Sequence, residues 1–233
     1  MAPLLNLLRS TYDVQVHTPE EGRGLWTVSK VSSEKNTIGS LDFIRRVTRL
    51  GEPWYLVANS FGNRVAVEIL RPHGGNHTDR SGGSSSSSSS SGSGSGNSSG
   101  ASDKVPDSDN GTHLVLSTAE LPRGLVCLGL PLYAKSKTRD LDERALHFRR
   151  SFPHGLPVLL CSGEKDTCIN GAAPQGGSTR EALLREQSCT WACAVTTEVH
   201  VVPGGSHGVF DGSAKEPALD AAYEAIFSFL RAC

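Results

Sequence analysis

The chain of 233 residues has no apolar run near the ~20 residues a membrane helix needs, so no membrane span is expected. It also has almost no net charge. Its 23 Lys and Arg against 24 Asp and Glu leave −1 at neutral pH, so there is no basic excess to attract nucleic acid or an anionic bilayer. The opening stretch, Met1-Ala2-Pro3-Leu4-Leu5-Asn6-Leu7-Leu8-Arg9, lacks the basic start and long apolar core of a secretory signal. The three Asn-x-Ser/Thr triplets at Asn76, Asn97 and Asn110 are therefore read as chance matches in polar loops. The expected address is the cytoplasm, with the nucleus as the second option. Paired cysteines are lacking too. Of Cys127, Cys161, Cys168, Cys189, Cys193 and Cys233, only Cys189 and Cys193 lie close together, with His200 nearby. A structural zinc site usually takes four ligands in two close pairs, so reduced thiols are expected, with no metal and no other cofactor. Cys127 and Cys161 stand inside apolar runs, where a thiol serves as a small hydrophobe.

Apolar residues nearly vanish over residues 73–112, which fall into Ser/Gly low complexity: Ser84 through Ser91 without a break, then Gly/Ser alternation to Gly100. Such a segment buries too little to offset the entropy of ordering its backbone. Neither flank carries a self-sufficient core, so it reads as a disordered insertion within a single 1–233 domain. Closing a long loop costs little, about 0.6 kcal/mol per doubling of its length.

What remains alternates between two periods. Short continuous apolar runs predict strands at Tyr55–Ala58, Gly124–Leu130, Leu156–Ser162 and Thr197–Val202, and Tyr12–His17 alternates with period two. Helical spacing marks Leu4–Arg9, a helix capped by Ser40 and running to Leu50, then Asn63–Leu70, Thr179–Gln187 and Pro217–Ala232. Apolar strands separated by helices predict an α/β fold: a doubly wound, mainly parallel sheet of about five strands with helices on both faces.

The chemistry gathers at the ends of these strands. Trp54-Tyr55-Leu56-Val57-Ala58-Asn59-Ser60-Phe61-Gly62 reads as a strand, a tight turn bearing Ser60, and a helix start. This is the layout of a nucleophile elbow, although Ala58 replaces the first Gly of G-x-S-x-G. The helix start would present the Phe61 N–H to an oxyanion. Asp166 follows the strand at Leu156–Ser162, and His207 follows the strand at Thr197–Val202. Ser, Asp and His thus occur in the chain order of an α/β-hydrolase triad, with His207 as base and Asp166 as its orienting partner. Glu164 and Asp211 are rivals to Asp166. Cys168 is a weaker candidate nucleophile, because it follows no strand-turn-helix.

Ala58-Asn59-Ser60-Phe61-Gly62-Asn63-Arg64, Leu128-Gly129-Leu130-Pro131-Leu132, Ser162-Gly163-Glu164-Lys165-Asp166 and Gly204-Gly205-Ser206-His207 together resemble the dienelactone-hydrolase-like branch of the α/β hydrolases. The nearest sub-branch includes a subunit of the NSL chromatin-acetyltransferase complex and a small testis-expressed homologue. Ala58, Phe61, Asn63 and Leu130 depart from that branch's pattern. The resemblance implies Ser60, Asp166 and His207 as triad positions and a small ester or acyl compound as substrate. It equally allows a non-catalytic hydrolase-like scaffold within a larger, chromatin-associated assembly, which would have protein partners. The resemblance also implies strands ahead of the first helix and an elbow strand in the middle of the sheet. The expectation is therefore an upstream strand and small-residue loop ending just before Pro3, since the matching oxyanion loop has no counterpart in this sequence.

Overall fold

A computed structural model of the chain describes residues 2–18, 30–49, 51–70, 116–132, 148, 155–170, 180–189, 196–211 and 213–233. The elements are α1 (Ala2–Arg9), α2 (Lys30–Val47), β1 (Leu56–Asn59), α3 (Phe61–Ile69), β2 (Leu125–Leu128), β3 (Pro157–Gly163), α4 (Thr167–Asn170), α5 (Arg180–Cys189), β4 (Thr196–Val202) and α6 (Glu216–Ala232). A 3-10 turn at Thr118–Glu120 precedes β2. The four strands form one all-parallel sheet in the order β1-β2-β3-β4.

The apolar runs become strands because both faces of the sheet are covered. Ala58, Cys127, Leu160 and Val199 lie side by side in register. They point, with Leu125 and Val158, toward Leu41 and Ile44 of α2, Val65 and Ile69 of α3, and Leu184 of α5. The alternate residues Val126, Leu128, Leu159, Cys161 and Val202 face α1 and α6, packing on Leu4, Leu8, Ile226 and Leu230. Sequential parallel strands with right-handed connections place their crossover helices on one face, and α3 and α5 share that face. The terminal helices α1 and α6 cover the other. The strand order does not reverse among the described residues, so a second winding direction is not seen there.

Three expectations change. Tyr12–His17 forms no strand: residues 13–18 carry no regular structure. A period-two pattern makes a strand only when a neighbour supplies a ladder. Here side chains anchor the segment instead. The Tyr12 ring meets Tyr55 edge-on at 6.2 Å and stacks on Phe227 at 6.1 Å. His17 stacks on Phe43 at 4.8 Å, with its Nε2 3.1 Å from Ser40 Oγ. Val16, one of the alternating apolar residues, is 51% exposed. The sheet accordingly has four strands among the described residues, not five. Next, Ser40 is no cap, because α2 begins ten residues earlier and buries Ser40 mid-helix. No proline interrupts 30–40, so nothing stops the helix from extending toward its N-terminus. Finally, β1 pairs only with β2 and lies at the edge of the described sheet, not in its middle.

The expected insertion at 73–112 lies outside the described residues. The segments flanking it meet directly, since Leu56–Asn59 pairs with Leu125–Leu128 and both belong to one compact unit. No helix among the described residues is long and apolar enough to cross a membrane.

This packing separates core from surface sharply. Leu160, 1% exposed at the centre of the sheet, is expected to cost about 2–5 kcal/mol on Leu160→Ala through lost burial and the cavity left behind. Ile38, 39% exposed, should cost well under that on Ile38→Ala. Urea unfolding curves of the two variants check the contrast; equal midpoints would refute the layer assignment.

Candidate active site

The site is built at the C-terminal edge of the sheet from the segments that follow β1, β3 and β4. β1 ends at Asn59 and α3 starts at Phe61, leaving a single residue to reverse the chain. That residue is Ser60, at φ 49° and ψ −116°. Such a conformation costs a non-glycine residue on the order of 1–3 kcal/mol and persists only where its surroundings impose it. Here the Ser60 N–H donates to Leu128 O at 2.9 Å, while Asn63 Nδ2 donates to the same carbonyl at 2.9 Å. The elbow is thereby tied at both ends to the tip of β2. Phe61 and Gly62 carry the first N–H groups of α3, which have no acceptor within the helix.

His207 reaches this turn from the loop after β4. Its Nε2 is 2.7 Å from Ser60 Oγ, and its Nδ1 is 3.0 and 3.1 Å from the two carboxylate oxygens of Asp166. The carboxylate accepts from further donors. The Cys168 N–H gives Oδ1 a 2.7 Å bond, and Ser162 Oγ lies 3.4 Å from Oδ2. Asp166 is fully buried, whereas the His207 side chain stays 25% exposed. A buried carboxylate held by these donors fixes the facing ring. The imidazole is accordingly held above its ordinary 6.5, first by hydrogen bonding to Asp166 and then by Cys168, with burial acting the other way.

The loop carrying His207 can come so close only because two strand ends are glycine. A Cβ on Gly129, at φ 58° just beyond β2, would collide with the His207 carbonyl oxygen. A Cβ on Gly163, the last residue of β3, would collide with the Ser206 carbonyl and with Gly205. Backbone bonds seal the contact: Lys165 N–H to Gly205 O at 2.7 Å and Glu164 N–H to Val202 O at 2.9 Å. Two residues past His207, the fully buried Val209 sits at φ 65°, a genuine outlier for a β-branched residue. The loop is a tightly imposed conformation.

Ser60, Asp166 and His207 are therefore brought together in one hydrogen-bonded row, and Phe61, the expected oxyanion donor, is the first residue of α3. The two rivals have other work. Glu164 Oε2 accepts the Gly204 N–H at 2.8 Å, bracing the base of the loop. Asp211 accepts the Ser206 hydroxyl and lies against Gly208. Cys168 is no exposed nucleophile but is buried at the site, its sulfur within 4.8 Å of the ligand atoms of both Asp166 and His207. Cys193 and the side chain of Cys189 fall outside the described residues, so the Cys189–Cys193–His200 grouping is not visible. Cys127 and Cys161 are buried thiols; burial pushes Cys161 up to about 12, and Cys127 higher. Sequence reasoning missed Asn63, Gly129 and the contact role of Gly163. The glycines at two successive strand ends were the available signal.

A row of this kind has the geometry for abstracting a hydroxyl proton. The base lies within hydrogen-bond reach of the nucleophile, and a third group fixes the base. A scan of family models and a search of curated proteins return no match to this chain.

The electrostatics carry a sign that can be checked. Folding raises the proton affinity of His207 above its unfolded value, so the stabilisation is full below pH 6.5 and is lost as pH rises through the folded value. Unfolding free energies of the chain and of Asp166→Asn, measured across pH, should differ most at low pH and converge as pH climbs. A gap that widens with rising pH would contradict this. Gly163→Ala should destabilise the fold and pull the His207 loop off the sheet edge, read as weaker protection of loop amides in hydrogen exchange.

Proposed function

We propose that this chain is a serine hydrolase of α/β-hydrolase type that cleaves small esters or thioesters. The observation that carries the reading is the continuous row from Ser60 Oγ through the His207 ring to the buried Asp166 carboxylate. Ser60 Oγ attacks the acyl carbon while His207 Nε2 takes its proton. The developing oxyanion is met by the N–H groups of Phe61 and Gly62 at the head of α3. His207 then hands the proton to the departing alcohol or thiol, and the acyl–serine bond forms as the ester bond breaks. Water, deprotonated by the same ring, releases the acid and restores the serine hydroxyl. Asp166 stays ionised throughout, holding the ring and stabilising its cation. The strained backbone at Ser60 supports the reading, since it holds the hydroxyl out at the turn where both base and donors reach it.

The direct test is covalent labelling by a fluorophosphonate probe, with the modified residue mapped by mass spectrometry. Ser60 should be labelled, and Ser60→Ala should abolish it. His207→Gln should slow it by about 10³-fold or more, as loss of a triad base does. Because only the neutral ring can take the proton, labelling should rise with pH through a midpoint above 6.5, and Asp166→Asn should move that midpoint down. A chain that is folded and unlabelled beside a labelled control hydrolase would end the enzyme reading in favour of a hydrolase-like scaffold.

A further inference from the structure

Cys168 is fully buried, contributes nothing to the proton transfers above, and yet has its thiol in the heart of the row. One ligand atom from each of Asp166, Cys168 and His207 lies within 4.8 Å of the other two. A carboxylate, a thiol and an imidazole converging in this way form a mixed donor set suited to zinc. Tetrahedral zinc, with Zn–S of about 2.3 Å and Zn–N or Zn–O of about 2.0–2.2 Å, keeps its ligand atoms on the order of 3.3–3.6 Å apart. Against that spacing, the Nδ1–Oδ1 pair at 3.0 Å opens by a few tenths of an ångström, and the thiol closes in by at most about 1.5 Å. One deprotonated thiol and one carboxylate bring two negative charges, which match a divalent cation in a site where unbalanced charge would be costly. The partly exposed His207 edge is the route in, since Asp166 and Cys168 are shut off from solvent.

We propose that Asp166, Cys168 and His207 bind a thiophilic divalent cation of the zinc class, and that this binding reversibly switches the site off. The inhibitory half rests on the hydrolase reading given above; the binding half does not. The ring nitrogen facing Asp166 is Nδ1, so the metal takes the Nδ1 lone pair and the remaining ring proton resides on Nε2. That nitrogen then donates to Ser60 Oγ and can no longer accept from it. Occupation releases the Cys168 thiol proton to solvent, together with the Nδ1 proton of the ring, so it strengthens with pH.

The test uses the full chain, stripped with a chelator, and two probes of the metal site. Cobalt(II), standing in for zinc, should give a thiolate-to-metal charge-transfer band at one equivalent, bleached by added zinc. The band should be lost in Cys168→Ser and in Cys168→Ala, two variants of different size so that one folding failure does not decide the matter. Zinc chloride should suppress fluorophosphonate labelling of Ser60 and a chelator should restore it. Since losing an outer-shell partner already weakens metal sites by about 10–100-fold, losing the thiol should raise the half-suppressing zinc concentration at least about tenfold. Suppression is read in each variant as the ratio of labelling with and without metal. A band that persists unchanged in both variants, or no band at all, overturns the proposed site. A Cys168-dependent band on a chain whose Ser60 is never labelled supports the site and removes the hydrolase reading instead.

Discussion

The arrangement depends on one close approach: the 203–211 loop lying directly on the backbone at the ends of β2 and β3. Gly129 and Gly163 have no side chain to hold it off, and a methyl at either would meet loop carbonyls. Everything at the site follows from that contact. It sets the height of His207 over the sheet, and thereby lets the ring span from Asp166 behind β3 to Ser60 behind β1. The strain carried by Ser60 and Val209 is tolerated because the rest of the molecule holds the segments on either side. Ser60 is pinned to the tip of β2, and Val209 is buried among Val202, Ala222 and Ile226 on the α1 and α6 face.

The sheet in turn supplies the rigidity that such a contact requires. Its central strands β2 and β3 are buried on both faces, so a one-residue slip of register would exchange the two faces and misplace every strand end by one position. In the register found, Asn59, Leu128, Cys161 and His200 lie abreast. The functional segments leave from just beyond that row. Dense packing of Leu125, Val126, Leu159 and Leu160 at the centre couples the fold's stability to the geometry at its edge.

Much of this was legible in the sequence, for physical reasons. Strands covered on both faces are continuous apolar runs, so β1 to β3 could be found within a few residues, and β4 by Val199, Val201 and Val202 among its polar residues. The Ser60, Asp166 and His207 positions could be inferred because strand ends are where a parallel sheet collects its loops. Tyr12–His17 was misread because alternation records only which residues are apolar, not whether a neighbouring strand exists to pair with; its aromatic anchors on Tyr55, Phe227 and Phe43 are tertiary contacts. Ser40 was misread for a related reason: serine favours a helix start, but its bond to His17 makes it useful inside α2. Cys168 was hidden because its meaning comes from His207, far along the chain, folding back onto it. Val209 at positive φ could not be foreseen at all, since valine is among the residues least suited to that conformation.

The claim most exposed to experiment is that a buried Asp166 grips the Nδ1 side of a ring whose other nitrogen meets Ser60. Proton NMR at low temperature reads that grip directly, through the exchange-protected Nδ1 proton shared between His207 and Asp166. The expected result is a single far-downfield resonance that disappears in Asp166→Asn, shifts when Ser60 is phosphonylated, and titrates above pH 6.5. No such resonance, together with a His207 ring titrating like a free imidazole near its ordinary 6.5, would contradict the hydrogen-bonded row.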